Sequence, residues 1–221
     1  MVAGQKTADR GRPAVRLFIV AEATGSDPVR ADQLASALAV ADIAAVLLRI
    51  GIAAERDMIA TIKAFASTVQ AAGAALLVAD YPDIVARSGA DGAHLSGIAA
   101  VSAAQPALKP ERILGAGGLR SRHDAMLAAE AGADYVMFGE PATDGRRPDF
   151  EATVERVDWW SELFEIPCVA YAASLDEIAP LCDAGADFIA VGGWLLADPR
   201  GTAAALGDAA ARLRPSAEVP A

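Results

Sequence analysis

Three times this sequence writes Gly-Ala-Asp and follows it with an apolar run: SGADGAHLSG from Ser88, AGADYVMFGEP from Ala131 and AGADFIAVGG from Ala184. Each phrase comes after a stretch with helical spacing. The glycine therefore stands where a helix C-terminus needs a left-handed residue, Ala-Asp makes a short turn, and the apolar run enters a strand. Gly73 occupies the same place after another helical stretch. A repeated αβ joint implies a repeated βα unit.

The remainder of the chain keeps the alternation. RLFIVAEA, AAVLLRI, AALLVAD, GAHL, RILGAGG, DYVMFGE, PCVAYAA and FIAVGGWL are too short for helices and apolar on both faces, as buried parallel strands are. Between them lie helical segments such as DPVRADQLASALAVA, RDMIATIKAFASTVQAAG, SRHDAMLAAEAG, FEATVERVDWWSELFE and SLDEIAPLCDAG, in the last of which Ser174 and Glu177 have the spacing of a capping box. The three joints precede the fourth, sixth and eighth strands. Eight strand and helix units in 221 residues predict an α/β fold of the (β/α)8 TIM-barrel type, with an open doubly wound sheet as the competing arrangement. The expected organisation is one barrel domain over residues 15–214, between a flexible N-terminal segment, 1–14, and a flexible tail, 215–221. Asp91, Asp134 and Asp187 then lie at the bottom of the barrel and serve stability, and function belongs at the opposite strand ends.

Composition narrows what that function is. With 54% hydrophobic and 22% charged residues the chain builds one large core. A net charge of −10 argues against a nucleic-acid partner, because phosphate backbones are bound by clustered Lys and Arg. No apolar run has the length of a membrane span, and MVAGQKTADRGRPAV lacks the apolar core of a signal peptide, so the expectation is a cytoplasmic protein with no membrane partner. Cys168 and Cys182 have no metal-ligand spacing and are expected to be buried thiols.

The strand ends bring Glu22, Arg49, Asp80, His94, Ser96, Gly117, Gly118, Gly139, Glu140, Ser174, Gly192 and Gly193 to one mouth, with Arg120 and Arg122 just beyond the fifth strand. LLVADYPDIVARSGADGAHLSG, ILGAGG, AEAGADYVMFGEP and the pair IPCVAYAA and AGADFIAVGG together resemble the thiamine-phosphate synthase family, with its relative the thiazole tautomerase, over nearly the whole chain. That resemblance implies a phosphorylated small-molecule substrate and a Mg2+-assisted joining of hydroxymethylpyrimidine diphosphate to thiazole phosphate, with pyrophosphate leaving. It makes Asp80 a Mg2+ ligand and leaves Arg49 from the family's polar set after the second strand.

Several family positions are replaced. Ala79 stands where the family has a diphosphate-binding Asn, and Ile98, Ala99 and Ala100 where it has the second Mg2+ carboxylate. EPATDGRRP replaces its Thr-x-Thr-Lys run, and Ala172 and Ala173 its Gly-Gly. The expectation is therefore weak or absent joining activity, with two alternatives open: an isomerase-like barrel acting on a phosphate ester, and a non-catalytic ligand- or partner-binding barrel.

Individual residues keep two readings each. Asp80 is a metal ligand or the cap of a helix starting at Tyr81-Pro82. Glu140 is a general acid or base, as Arg49 is its catalytic companion, or else the ion-pair partner of Arg146 or Arg147. His94 is expected to be structural, with no acid partner evident in sequence. Gly117, Gly118, Gly139, Ser174, Gly192 and Gly193, helped by Arg120 and Arg122, are the candidate phosphate and substrate binders. Trp194 packs under the last loop or stacks on a ligand ring. The adjacent Trp159 and Trp160 suggest that one indole faces outward at a homodimer contact.

Overall fold

The structure, a computed structural model, describes residues 13–23, 29–142 and 144–213. The two flexible termini expected from the sequence fall almost wholly outside these residues. Eight parallel strands close in chain order into a barrel: β1 (Arg16–Glu22), β2 (Ile43–Arg49), β3 (Ala75–Ala79), β4 (Gly92–Ser96), β5 (Ile113–Gly117), β6 (Tyr135–Phe138), β7 (Cys168–Ala172) and β8 (Phe188–Val191). Around them run α1 (Ala31–Leu38), α2 (Glu55–Ala71), α3 (Val85–Ser88), α4 (Ile98–Leu108), α5 (Arg122–Glu130), α6 (Phe150–Leu163), α7 (Ile178–Asp183), α8 (Gly193–Leu196) and α9 (Thr202–Ala210). The open-sheet alternative is thereby excluded. Among the described residues no helix is long and apolar enough to cross a membrane.

Strand periodicity separates two apolar clusters. Phe18, Val20, Ala45, Leu47, Leu77, Tyr135, Met137, Val169, Tyr171 and Ala190 point into the barrel, while their neighbours Leu17, Ile19, Val46, Leu76, Val136, Ala170 and Ile189 face the helices. The lumen alternates large and small side chains so that its layers fit. A β-carbon on Gly92 would overlap Ile113, and one on Gly115 would overlap the Tyr135 ring. Neither glycine has a positive φ. They are there for room.

The repeated phrase proves to be a clip. Gly89, Gly132 and Gly185 adopt φ of 81°, 86° and 98°. The following aspartates then each hold one residue of the preceding strand from both sides. The Asp91 N–H donates to the Leu76 carbonyl at 2.8 Å while the Leu76 N–H donates to its carboxylate at 2.7 Å. Asp134 does the same to Leu114 at 2.8 and 2.7 Å, and Asp187 to Cys168 at 3.1 and 2.8 Å. Each carboxylate satisfies an N–H near the start of a strand. The clips lie at the N-terminal face, opposite the mouth, as expected.

Local expectations fail in three places. The apolar run after Phe188 ends as a strand at Val191, and Gly193–Leu196 turns into α8. Ser174 makes no side-chain cap: the Glu177 N–H donates to the Ser174 carbonyl at 3.3 Å, and the Glu177 carboxylate is drawn to Arg147 and to the Ala173 N–H. A capping box does form at Ser121 and Asp124, at the start of α5. The tryptophans form no outward patch of the kind expected. Trp160 is fully buried, its indole N–H donating to the Ile166 carbonyl at 2.7 Å, and half-buried Trp159 lies under the Arg122 guanidinium, 4.9 Å from the ring centre.

Candidate active site at the barrel mouth

Period-two continuation of the lumen carries Glu22 beyond Val20 and Arg49 beyond Leu47, so both reach the mouth on the inward face. From the far side, Glu140 follows Gly139, whose φ of 82° turns the chain after β6 and whose β-carbon position lies 2.6 Å from Thr153 Cγ2. Arg49 Nη2 donates to Glu140 Oε2 at 3.1 Å, and Arg49 Nη1 lies 3.8 Å from Glu22 Oε1. The Gly118 N–H donates to Glu140 Oε1 at 2.7 Å, and His94 Nε2 approaches the two carboxylate oxygens at 3.4 and 3.3 Å. Behind the imidazole, His94 Nδ1 meets the buried Tyr135 hydroxyl at 2.8 Å.

Burial tends to push the Glu140 carboxyl up, but His94, Arg49 and the Gly118 N–H together outweigh it and hold the group below the ordinary glutamate range. Burial raises Glu22, with Arg49 opposing. Burial, with Glu140 adding to it, keeps the Tyr135 phenol neutral well beyond its usual range. A neutral phenol donates and a carboxylate only accepts. The arrangement that satisfies all three groups is Tyr135 O–H to His94 Nδ1 and His94 Nε2–H to Glu140.

Several expected partners change. Glu140 pairs with Arg49 and His94, not with Arg146 or Arg147: Arg146 turns to Asp144, and Arg147 to Glu177 at 2.8 and 3.0 Å. His94 does have an acid partner, 46 residues away in sequence. Gly117 offers no open backbone to a ligand, because Glu140 Oε1 and His94 Nε2 fill the place where its β-carbon would stand. The Gly118 amide is already spent on Glu140. Arg122 covers Trp159 rather than the mouth, and the Arg120 backbone serves the α5 cap and Arg156.

Asp80 is the one non-glycine among the described residues with a positive φ, 56°. This left-handed turn, which aspartate tolerates better than most residues, swings its carboxylate onto β4, where it accepts from the Ser96 N–H at 2.8 Å and the Ser96 hydroxyl at 3.0 Å. It does not cap the turn at Pro82–Ile84. Nor does it fit an all-protein Mg2+ site: both oxygens are engaged, and among the described residues no three His, Cys, Asp or Glu side chains group to hold a metal ion.

On the β7 and β8 side, Tyr171 reaches over Gly192, where its hydroxyl occupies the place of a β-carbon. Gly193 has open space around it and shares a small cleft with Glu22, Gln33 and Thr202. Trp194 is packed as core, with its N–H donating to the Ala172 carbonyl at 2.9 Å. Arg147 is the residue that sequence reasoning undervalued. Its Nε and Nη2 are buried without a protein partner among the described residues, although Nη1 holds Glu177. Only the RRP within EPATDGRRP hinted at it.

A family model described as thiamine monophosphate synthase matches residues 17–194. The thiamine-phosphate synthase of Rhodospirillum centenum is 37% identical over 201 residues, covering 87% of this chain and 95% of that protein. The thiamine-phosphate synthase of Hyphomonas neptunium is 35% identical over 204 residues, covering 88% and 92%. Among solved structures, a thiamine phosphate pyrophosphorylase from Pyrococcus furiosus superposes with a TM-score of 0.75 at 24% identity, over 90% of this chain and 95% of that one, a likeness of fold.

Proposed function

Since this chain belongs to the thiamine monophosphate synthase family, we propose that it acts in thiamine biosynthesis by binding a phosphorylated thiazole or thiamine ester at the barrel mouth, and that it performs the family's joining reaction slowly or not at all. The observation that carries the first half is Arg147, whose two buried donors, without protein partners among the described residues, sit in the loop after β6 beside Glu177. A guanidinium in that state gains most from a planar or tetrahedral oxyanion. Tyr171 and the Gly192 and Gly193 backbone complete that side of the mouth, with the phosphate held by Arg147 and by amides near Gly193. The charged set of Glu22, Arg49 and Glu140 faces the rest of the ligand.

The second half rests on Asp80. The joining reaction would need carboxylates that hold a metal, and donors beside them, to offset the charge on a departing diphosphate. Here the lone carboxylate is committed to Ser96, and Ile98, Ala99 and Ala100 supply no acid beside it. Losing a single such charge-stabilising contact raises a barrier by ~3 kcal/mol. Purified protein given both substrates and Mg2+ should turn over far below the usual enzymatic range of about 1 per second and above. Turnover within that range would overturn this half. Calorimetry with thiazole phosphate and with thiamine phosphate tests the other: binding is expected, and Arg147→Ala should weaken it by roughly 1.5 to 3 kcal/mol. No heat from the native protein with either ester would overturn it.

A further inference from the structure

The Glu140 carboxylate is surrounded as a bound anion is. A guanidinium, an imidazole nitrogen and a backbone N–H converge on its two oxygens from Arg49, His94 and Gly118, on three different strand ends. The pocket is cut to admit it. Gly117 has no positive φ that would demand glycine, and its missing β-carbon is what leaves space for Glu140 Oε1 against His94 Nε2. The side chain itself is 9% exposed, whereas Arg49 remains 25% exposed and His94 lies beneath at 2%, so Arg49 reaches the mouth and Glu140 plugs the pocket above the imidazole.

We propose that Glu140 is a built-in anion occupying an oxyanion pocket formed by Arg49, His94 and Gly118, and that it sets specificity by excluding a phosphate or diphosphate group from that side of the mouth. A ligand entering there must present a neutral or cationic group to Glu140, with its single phosphate on the β7 and β8 side. The inference takes from the proposed function only that ligands enter at the mouth. It follows from electrostatics: Arg49 already faces the carboxylates of Glu140 and Glu22, and an oxyanion entering beside them would add a third acidic group to one guanidinium.

Removing the plug should expose the pocket. Inorganic pyrophosphate titrated into the native protein by calorimetry should give no binding up to millimolar concentration. Glu140→Ala should bind it at least tenfold more tightly, with an affinity that falls as salt rises, and adding Arg49→Ala to that variant should remove the gain. Equal affinity in native protein and Glu140→Ala would overturn the proposal, as would a folded Glu140→Ala that takes no pyrophosphate, or a gain that survives loss of Arg49. Should Glu140→Ala not fold, Glu140→Ser also empties the pocket; a folded Glu140→Ser with no gain over native refutes the idea equally. Because pyrophosphate contains neither thiazole nor pyrimidine, failure here is separable from failure of the thiazole phosphate titration.

Discussion

Replacing Asp187 by alanine tests whether the repeated phrase is a stabilising clip. In the native protein the Asp187 carboxylate accepts from the N–H of Cys168, a fully buried residue, at 2.8 Å. Among the described residues Asp187 has no ion pair, so the substitution removes one charge-assisted hydrogen bond and little else. Such bonds contribute about 1.5–3 kcal/mol. For a domain of this length each kcal/mol moves the midpoint of thermal unfolding by roughly 2–4 °C, giving an expected fall of about 3–12 °C. Asp187→Asn keeps an uncharged acceptor and should lose less. The clip lies some five residues from the mouth, or ~16 Å along an extended strand, so ligand affinity should be unchanged. Differential scanning calorimetry and a thiamine phosphate titration on the same samples decide it. A midpoint within about 1 °C of native, or an affinity loss as large as the stability loss, would refute the reasoning.

Other substitutions probe the lumen and the mouth. Gly115→Ala drives a β-carbon into the Tyr135 ring and should cost ~1–3 kcal/mol or more by overpacking, read as a lower denaturant midpoint; an unchanged midpoint would mean that the lumen is looser than its geometry. Trp160→Ala should cost about 3–5 kcal/mol, whereas Trp159→Ala, at a half-buried ring, should cost clearly less; equal losses in urea unfolding would contradict the burial difference. The depressed Glu140 group contributes stability above its unfolded value, and this contribution is lost as pH falls through the folded value. Glu140→Gln should therefore be less stable than native at pH 7, and the gap should start to narrow only below about pH 4.3 and close once pH has fallen through the lower folded value; a gap already closing above that pH would argue against a depressed carboxyl.

How much of this was legible in the chain can be followed residue by residue. Periodicity and the Gly-Ala-Asp phrase carried the barrel, its strand order and the position of Asp91, Asp134 and Asp187, because both signals are local: an alternating apolar pattern and a left-handed glycine act over a few residues. The same period-two count placed Glu22 and Arg49 on the inward face. It could not pair them. Glu140 meets Arg49 across 91 residues, and His94 across 46, only because the closed barrel brings the ends of β2, β4 and β6 to one mouth. Competition between distant partners also explains the local failures: Glu177 left the Ser174 cap for Arg147, and Asp80 left the next helix for Ser96. Gly117 looked like open backbone for a ligand, and tertiary structure filled its missing β-carbon with the protein's own carboxylate. Local chemistry determines the elements and their joints, while the identity of each charge's partner is decided by strand closure, which no short window of sequence contains.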